Sequence, residues 1–268
     1  MIAVCLKWVD RQPEPAATSG APGLPDERFA GVSAADQAAL EWALRQRDAS
    51  GGEIVAVTVG PPPADAVLRD AMAAGADRAV RIDRPFGAPS RTVADDLAGV
   101  LADATTVWCG DHSFDRGTGS VPAFLAAALG IGQALGLVAI DVDISGIGAL
   151  RRLDGGRRER LAISGRAVLS VEGGTALLRR APLRGVLAKP VVEVAVPAHP
   201  LEAAHAAEAR PFRPRPRAFA PPAGGTALGR IRTLTAAGAV VVHGETVTLD
   251  PPAAAERILS ALREWGYI

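Results

Sequence analysis

Apolar runs alternate repeatedly with stretches of helical period along the first half of the chain, and few folds satisfy that order. The opening run, IAVCLKWV, is almost continuously apolar, as in a strand buried on both faces. Ser33 then stands where a helix cap belongs, with Asp36 placed as in a capping box, ahead of AADQAALEWALRQR. Gly51 and Gly52 stop that helix, and EIVAVTVG reads as a second buried strand ending at Gly60. ADAVLRDAMAA, closed by Gly75, is the next helix, and ADRAVRI the third strand. Ser90 reads as the cap of RTVADDLAGVLADA, TTVWCG as a fourth strand and VPAFLAAALG as a further helix. Short connections between such elements imply an α/β fold: an open, mostly parallel, Rossmann-like sheet with helices on both faces.

The pattern changes near Gly136. LGLVAIDVDI, GALRRLDGG, RRERLAI and AVLSVEGG are short, strand-like and separated by glycine-rich turns, which favours hairpins over further helical crossovers. A loop or short helical piece and a last strand follow in LRRAPLRGVLAKPVVEVAV. The expected organisation is an α/β domain with a β-hairpin extension over 1–196, a Pro/Arg-rich linker over 197–225 and a C-terminal arm over 226–268. The arm ends in an amphipathic helix, with Pro251 and Pro252 at its start and Ile258, Leu259, Leu262 and Trp265 on one face. The Pro/Gly-rich loop from Arg11 to Gly31 is long enough to suggest a role beyond joining two elements.

Composition narrows the function classes. Lysine plus arginine equals aspartate plus glutamate at 29 each, which argues against a general nucleic-acid or acidic-membrane binder. The basic run Arg210, Arg213, Arg215 and Arg217 reads as a solvated linker or one laid along a partner. No apolar stretch is long enough to span a bilayer, the N-terminus lacks a secretory h-region, and Cys5 and Cys109 form no disulfide framework. A cytoplasmic protein is expected.

In an open α/β sheet, ligands bind beyond the carboxyl ends of the strands, near the switch in strand order. Lys7 to Asp10, Thr58 to Pro61 and Gly110 to Pro122 should converge there. The last of these, within WCGDHSFDRGTGSVP, offers glycines for close backbone approach, a following helix N-terminus, and donors from Arg116, Thr118 and Ser120. It matches neither Walker A nor GxGxxG, so a phosphate cradle and a plain strand-to-helix turn both fit. Cys109, Asp111 and His112 are too close in sequence to form a good metal site, and His199, His205 and His243 stand alone. If the first and fourth strands are neighbours, Cys5 and Cys109 come together as a matter of packing. No catalytic pair of carboxylates and no GxSxG nucleophile are present.

Read in order, VCLKWVD, VSAADQAALEWAL, AVTVGP, AMAAGADRAVRI, GDHSFDRGTGSVPA, RRLDGGRRERL and RAPLRGVLAKP resemble the β subunit of electron transfer flavoproteins, over nearly the whole chain. The resemblance implies an electron carrier without catalytic residues of its own. It would pair with an α subunit that holds most of an FAD, take electrons from a dehydrogenase and pass them to a quinone-linked or other acceptor. It also implies a buried AMP, replaced by a second FAD in electron-bifurcating relatives. Carried over residue by residue, the nucleotide would be met by Leu6, Lys7, Ser33, Val59 and Gly60. The loop would add Gly110, Asp111, Asp115, Arg116, Gly117, Thr118, Gly119 and Ser120, and Leu183 would anchor a partner dehydrogenase.

The chain departs from the family pattern in four places. Ser33 replaces an asparagine, the phosphate loop is shortened, Arg152 replaces a glutamate, and the lysine cluster beside Leu183 is reduced to Lys189. The resemblance implies AMP in the second nucleotide site, and these departures leave FAD or no ligand as the alternatives. The Trp-rich variant is similar to members associated with mycofactocin-dependent oxidoreductases. The competing function class is a nucleotide-binding regulatory module of the universal-stress type, against which the strand-rich second half and the arm argue.

Overall fold

The computed structural model describes residues 1–11, 28–188, 190–197, 200, 225–234 and 247–267. Two compact units divide the chain, Met1–Pro211 and Phe212–Ile268.

The first unit begins with β1 (Ile2–Cys5), then β2 (Val9–Asp10), which pairs antiparallel with β3 (Ala30–Gly31). There follow α1 (Ala34–Ser50), β4 (Ile54–Gly60), α2 (Asp65–Ala74), β5 (Arg78–Asp83), α3 (Ser90–Val100), β6 (Thr106–Gly110) and α4 (Val121–Leu129). The remaining elements are β7 (Gly132–Asp143), β8 (Gly146–Arg152), β9 (Arg158–Ile163), β10 (Ala167–Val171), α5 (Leu183–Leu187) and β11 (Glu193–Ala195). Nine strands form one sheet in the order β11-β5-β4-β1-β6-β10-β7-β8-β9. Pairing is parallel from β11 to β7 and antiparallel across β7, β8 and β9.

Side-chain alternation along these strands feeds two cores. Ile2, Val4 and Leu6 pack with Trp108 in the cluster that includes α1 and α2. Ala3 and Val107, with Cys5 and Cys109, join the cluster that includes Leu97 of α3 and Leu125 of α4. Helices thus cover both faces, as the alternation of strands and helices predicts. Trp42 and Trp108 stack with centroids 6.4 Å apart, and the Trp108 indole donates to Gln46 Oε1 at 2.7 Å, fixing α1 on β6.

Three local readings differ from the structure. AVLSV was expected among the hairpins, yet β10 returns to the sheet interior as a parallel strand between β6 and β7; all its residues are buried, which only an interior strand can satisfy. Ser90 opens α3 without capping it; Pro89 at φ −58° occupies the cap position and has its φ preset by its ring. The capping box of α1 is half formed: Ser33 accepts from the Asp36 backbone N–H at 3.2 Å, while the Asp36 carboxylate turns to the sheet.

In the second unit, α6 (Ala227–Leu234) and α7 (Pro251–Glu264) are the described elements. Asp250 caps α7 by accepting from the Ala253 N–H at 3.0 Å, and Ile258, Leu259 and Trp265 are exposed. Residues 12–27 of the long first loop, Lys189, His199, His205, His243, the four-arginine run and most of the 197–225 linker lie outside the described residues. Among the described residues no helix is long and apolar enough to cross a membrane.

Candidate functional site

The chain leaves β1 for one neighbour, β4, and later returns to the other, β6, so the carboxyl ends of these strands border the place where strand order reverses. A cavity of about 120 Å³ opens there. Leu6 and Lys7 beyond β1, Val59 of β4 and Gly110 of β6 line it. From the loop, Arg116, Thr118, Gly119 and Ser120 line it as well, with Val93 and Leu97 of α3 closing one side. Sequence reasoning missed the α3 wall, although Val93 and Leu97 sit four apart on one helical face.

The other expected residues support the wall without facing the cavity. Gly60 spends its carbonyl on the Arg81 guanidinium at 3.1 Å. Ser33 donates to the His112 carbonyl at 3.3 Å and so ties α1 to the loop. Asp111 engages His112 Nδ1 at 2.7 Å. Asp115 receives Lys7 Nζ at 2.6 and 2.7 Å on its two oxygens, and Ser113 Oγ at 2.6 Å. Burial alone would raise the Asp115 pKa; hydrogen bonds from Lys7 and Ser113 outweigh it and hold the carboxyl below its ordinary value.

Two backbone features give the loop its shape. Gly119 has φ +57°, and a Cβ there would collide with the Asp111 carbonyl. Gly117 is also left-handed, at φ +62°, so the turn preceding α4 is folded tightly enough to present N–H groups and the Thr118 and Ser120 hydroxyls together. Arg116 donates to the Gly87 and Ala88 carbonyls at 2.5 and 3.2 Å, joining the loop to the connection before α3.

Asp36 is the buried polar group at the centre. Its carboxylate accepts from the Lys7 backbone N–H at 3.0 Å and also from the Gly110 backbone. Gly110 lies so close that a Cβ would collide with Asp36 Oδ1 and stand 2.9 Å from its backbone nitrogen. Burial pushes the Asp36 pKa up to about 7, against the opposing pull of those hydrogen bonds and the Lys7 charge. Chemically, the cavity offers an apolar slot from Val59, Val93 and Leu97, and a polar end where α4 begins. That combination suits a ligand with one flat apolar part and one anionic part.

Leu183 is not part of this cavity. It opens α5, where Leu183, Val186 and Leu187 are all exposed. The segment before it is held to α1 by Arg179, whose backbone N–H and Nε both donate to Glu41 Oε2, at 3.1 and 3.0 Å. Arg152 reaches Glu172 at 3.8 Å.

The model of the electron transfer flavoprotein domain matches residues 26–199. Among curated relatives, Protein FixA of Bradyrhizobium diazoefficiens is 40% identical over 45% of this chain and 46% of its own. The acryloyl-CoA reductase electron transfer subunit gamma of Anaerotignum propionicum is 33% identical over 37% and 39%, respectively. The electron transfer flavoprotein subunit beta of Methylophilus methylotrophus is 31% identical over 60% and 65%. The chain spans about half the length of the curated relatives it matches.

Proposed function

The chain belongs to the electron transfer flavoprotein family, and on that premise we propose that it serves as a β-type electron-transfer subunit in the cytoplasm. It pairs with an α-type subunit, takes electrons from a partner dehydrogenase and passes them to a quinone-linked or other acceptor. The observation that supports this most strongly is the family match itself, which takes in α1, β4, the Gly110–Ser120 loop and α5 in one continuous stretch.

FAD, held mostly by the partner, supplies the redox chemistry when bound. The chain itself would cover one edge of that group and help exclude water from it, with no bond-making step of its own. The C-terminal arm, with its exposed Ile258, Leu259 and Trp265, is the segment that embraces the α subunit. Leu183, Val186 and Leu187 form the dehydrogenase contact, with Leu183 as its anchor. A dedicated dehydrogenase of the mycofactocin-dependent kind fits the loss of lysines beside that leucine.

The switch-point cavity fits AMP better than a dinucleotide. Its apolar slot takes the adenine, and the α4 N-terminus with Thr118, Ser120 and Arg116 takes the single phosphate. The Lys7–Asp115 bridge ties the loop to the end of β1 beside the cavity, which favours the smaller ligand over a second flavin. Co-purification with an α-type subunit tests the assignment, and analysis of the released small molecules tests the nucleotide.

A further inference from the structure

The chain contains two cysteines, separated by more than a hundred residues, and the fold sets them side by side. Cys5 of β1 and Cys109 of β6 are direct partners in the parallel ladder. Neighbouring strands lie about 4.8 Å apart, inside the Cα range of about 4.4–6.8 Å over which disulfides form. Their side chains leave the same face of the sheet, toward α3 and α4, and both line the switch-point cavity. Cys5 borders the cavity partly exposed, with Cys109 buried beside it.

We propose that Cys5 and Cys109 form an oxidisable dithiol, a modification site that a hydroperoxide converts to a reversible cross-strand disulfide. Cys5 is the partly exposed member and makes the first attack. Its sulfur bonds to one peroxide oxygen as the O–O bond breaks, giving up the thiol proton. The other oxygen leaves, takes a proton and departs as alcohol, or as water from hydrogen peroxide. Cys5 has then lost two electrons and is a sulfenic acid. The Cys109 sulfur attacks it, the S–S bond forms and the S–O bond breaks. The departing hydroxide takes the Cys109 proton and leaves as water. Two thiols and one hydrogen peroxide thus give one disulfide and two waters.

Cys109 suits the second step. The neighbouring Cys5 thiol, then burial, hold its own thiol well above the ordinary pKa, so Cys5 is oxidised first and Cys109, its partner in the ladder, is the sulfur left beside the sulfenic acid. Parallel strands keep Cβ atoms slightly farther apart than a relaxed disulfide prefers. Closing the bridge draws β1 and β6 together at the cavity floor and leaves a bond that thiols reduce readily.

The full chain, treated with hydrogen peroxide and then with an alkylating agent, provides the test by intact mass and non-reducing peptide mapping. The expected result is a loss of about two mass units, a linked Cys5–Cys109 peptide, and full recovery with dithiothreitol. Cys109→Ser should instead gain about 16 mass units at Cys5, as a sulfenic acid that dimedone traps. Wild-type protein that accumulates sulfinic acid on Cys5, links between molecules, or keeps both thiols alkylatable where free glutathione is oxidised would overturn the proposal.

Discussion

The Lys7 backbone N–H donates to the Asp36 carboxylate across 3.0 Å, so the residue leaving β1 is bound to the first turn of α1. The Gly110 backbone gives the same carboxylate a second bond, from the neighbouring strand β6. One side chain thereby holds two strand ends and one helix start in the arrangement that shapes the cavity.

Asp36 makes stability fall as pH rises through the neutral range. Its folded pKa of about 7 lies above the ordinary 3.8, so the folded state binds more protons between those values. The stabilisation is fully present below the unfolded value and is lost by about pH 7. Three pH units correspond to roughly 4 kcal/mol as an upper bound. Chemical denaturation of wild type and Asp36→Asn between pH 4 and 8 should show the wild type losing stability relative to the variant. Parallel curves would contradict the buried acid.

Gly110→Ala should lower stability by about 2–3 kcal/mol, because the added methyl meets Asp36 Oδ1 and the α1 backbone. The carboxylate cannot retreat without straining its bond to the Lys7 backbone N–H. Urea denaturation checks this, and a change within about 0.5 kcal/mol would mean that α1 is free to shift.

Lys7→Met separates a stability role from a binding role. The Lys7 side chain is 40% exposed, so its pair with Asp115 should contribute less than about 1 kcal/mol to folding. Titration with AMP should nevertheless show affinity weakened by about tenfold, since the loop loses its tie to β1. Unchanged affinity would remove the Lys7–Asp115 bridge from the site.

Arg179→Ala should free the segment leading to α5. Glu41 is buried and accepts three bonds from Arg179, with Arg45 as its remaining partner. Burial opposes the charge, but the Arg179 bonds hold the Glu41 pKa below its ordinary value. The contribution is present above the unfolded pKa and lost as pH falls through the folded one. Hydrogen exchange in α5 at pH 7 should quicken in the variant, with a stability loss of about 1–2 kcal/mol after allowance for solvent screening.

Most of this fold could be read from residue patterns because its strands are buried on both faces and its helices repeat an apolar stripe. IAVC, IVAVTVG and TVWCG became β1, β4 and β6 with their ends converging as expected. The place of β10 was hidden, since AVLSV follows three strands and only the sheet order separates an interior strand from a hairpin arm. Asp36 was hidden for a different reason. A local capping box explains an acid at that position, so its long-range bonds to Lys7 and Gly110 leave no separate mark in sequence. The Cys5–Cys109 register depends likewise on β1 and β6 being neighbours.

The central claim, a β-type subunit completed by an α-type partner, is tested most directly by co-expressing the chain with an α-type electron transfer flavoprotein subunit and purifying through a tag on this chain alone. The expected result is a one-to-one heterodimer with visible oxidised-flavin absorbance and one FAD per pair, lost when the chain is truncated before α7. A colourless chain that elutes alone at micromolar concentration, with the partner retaining its FAD unaided, would contradict it.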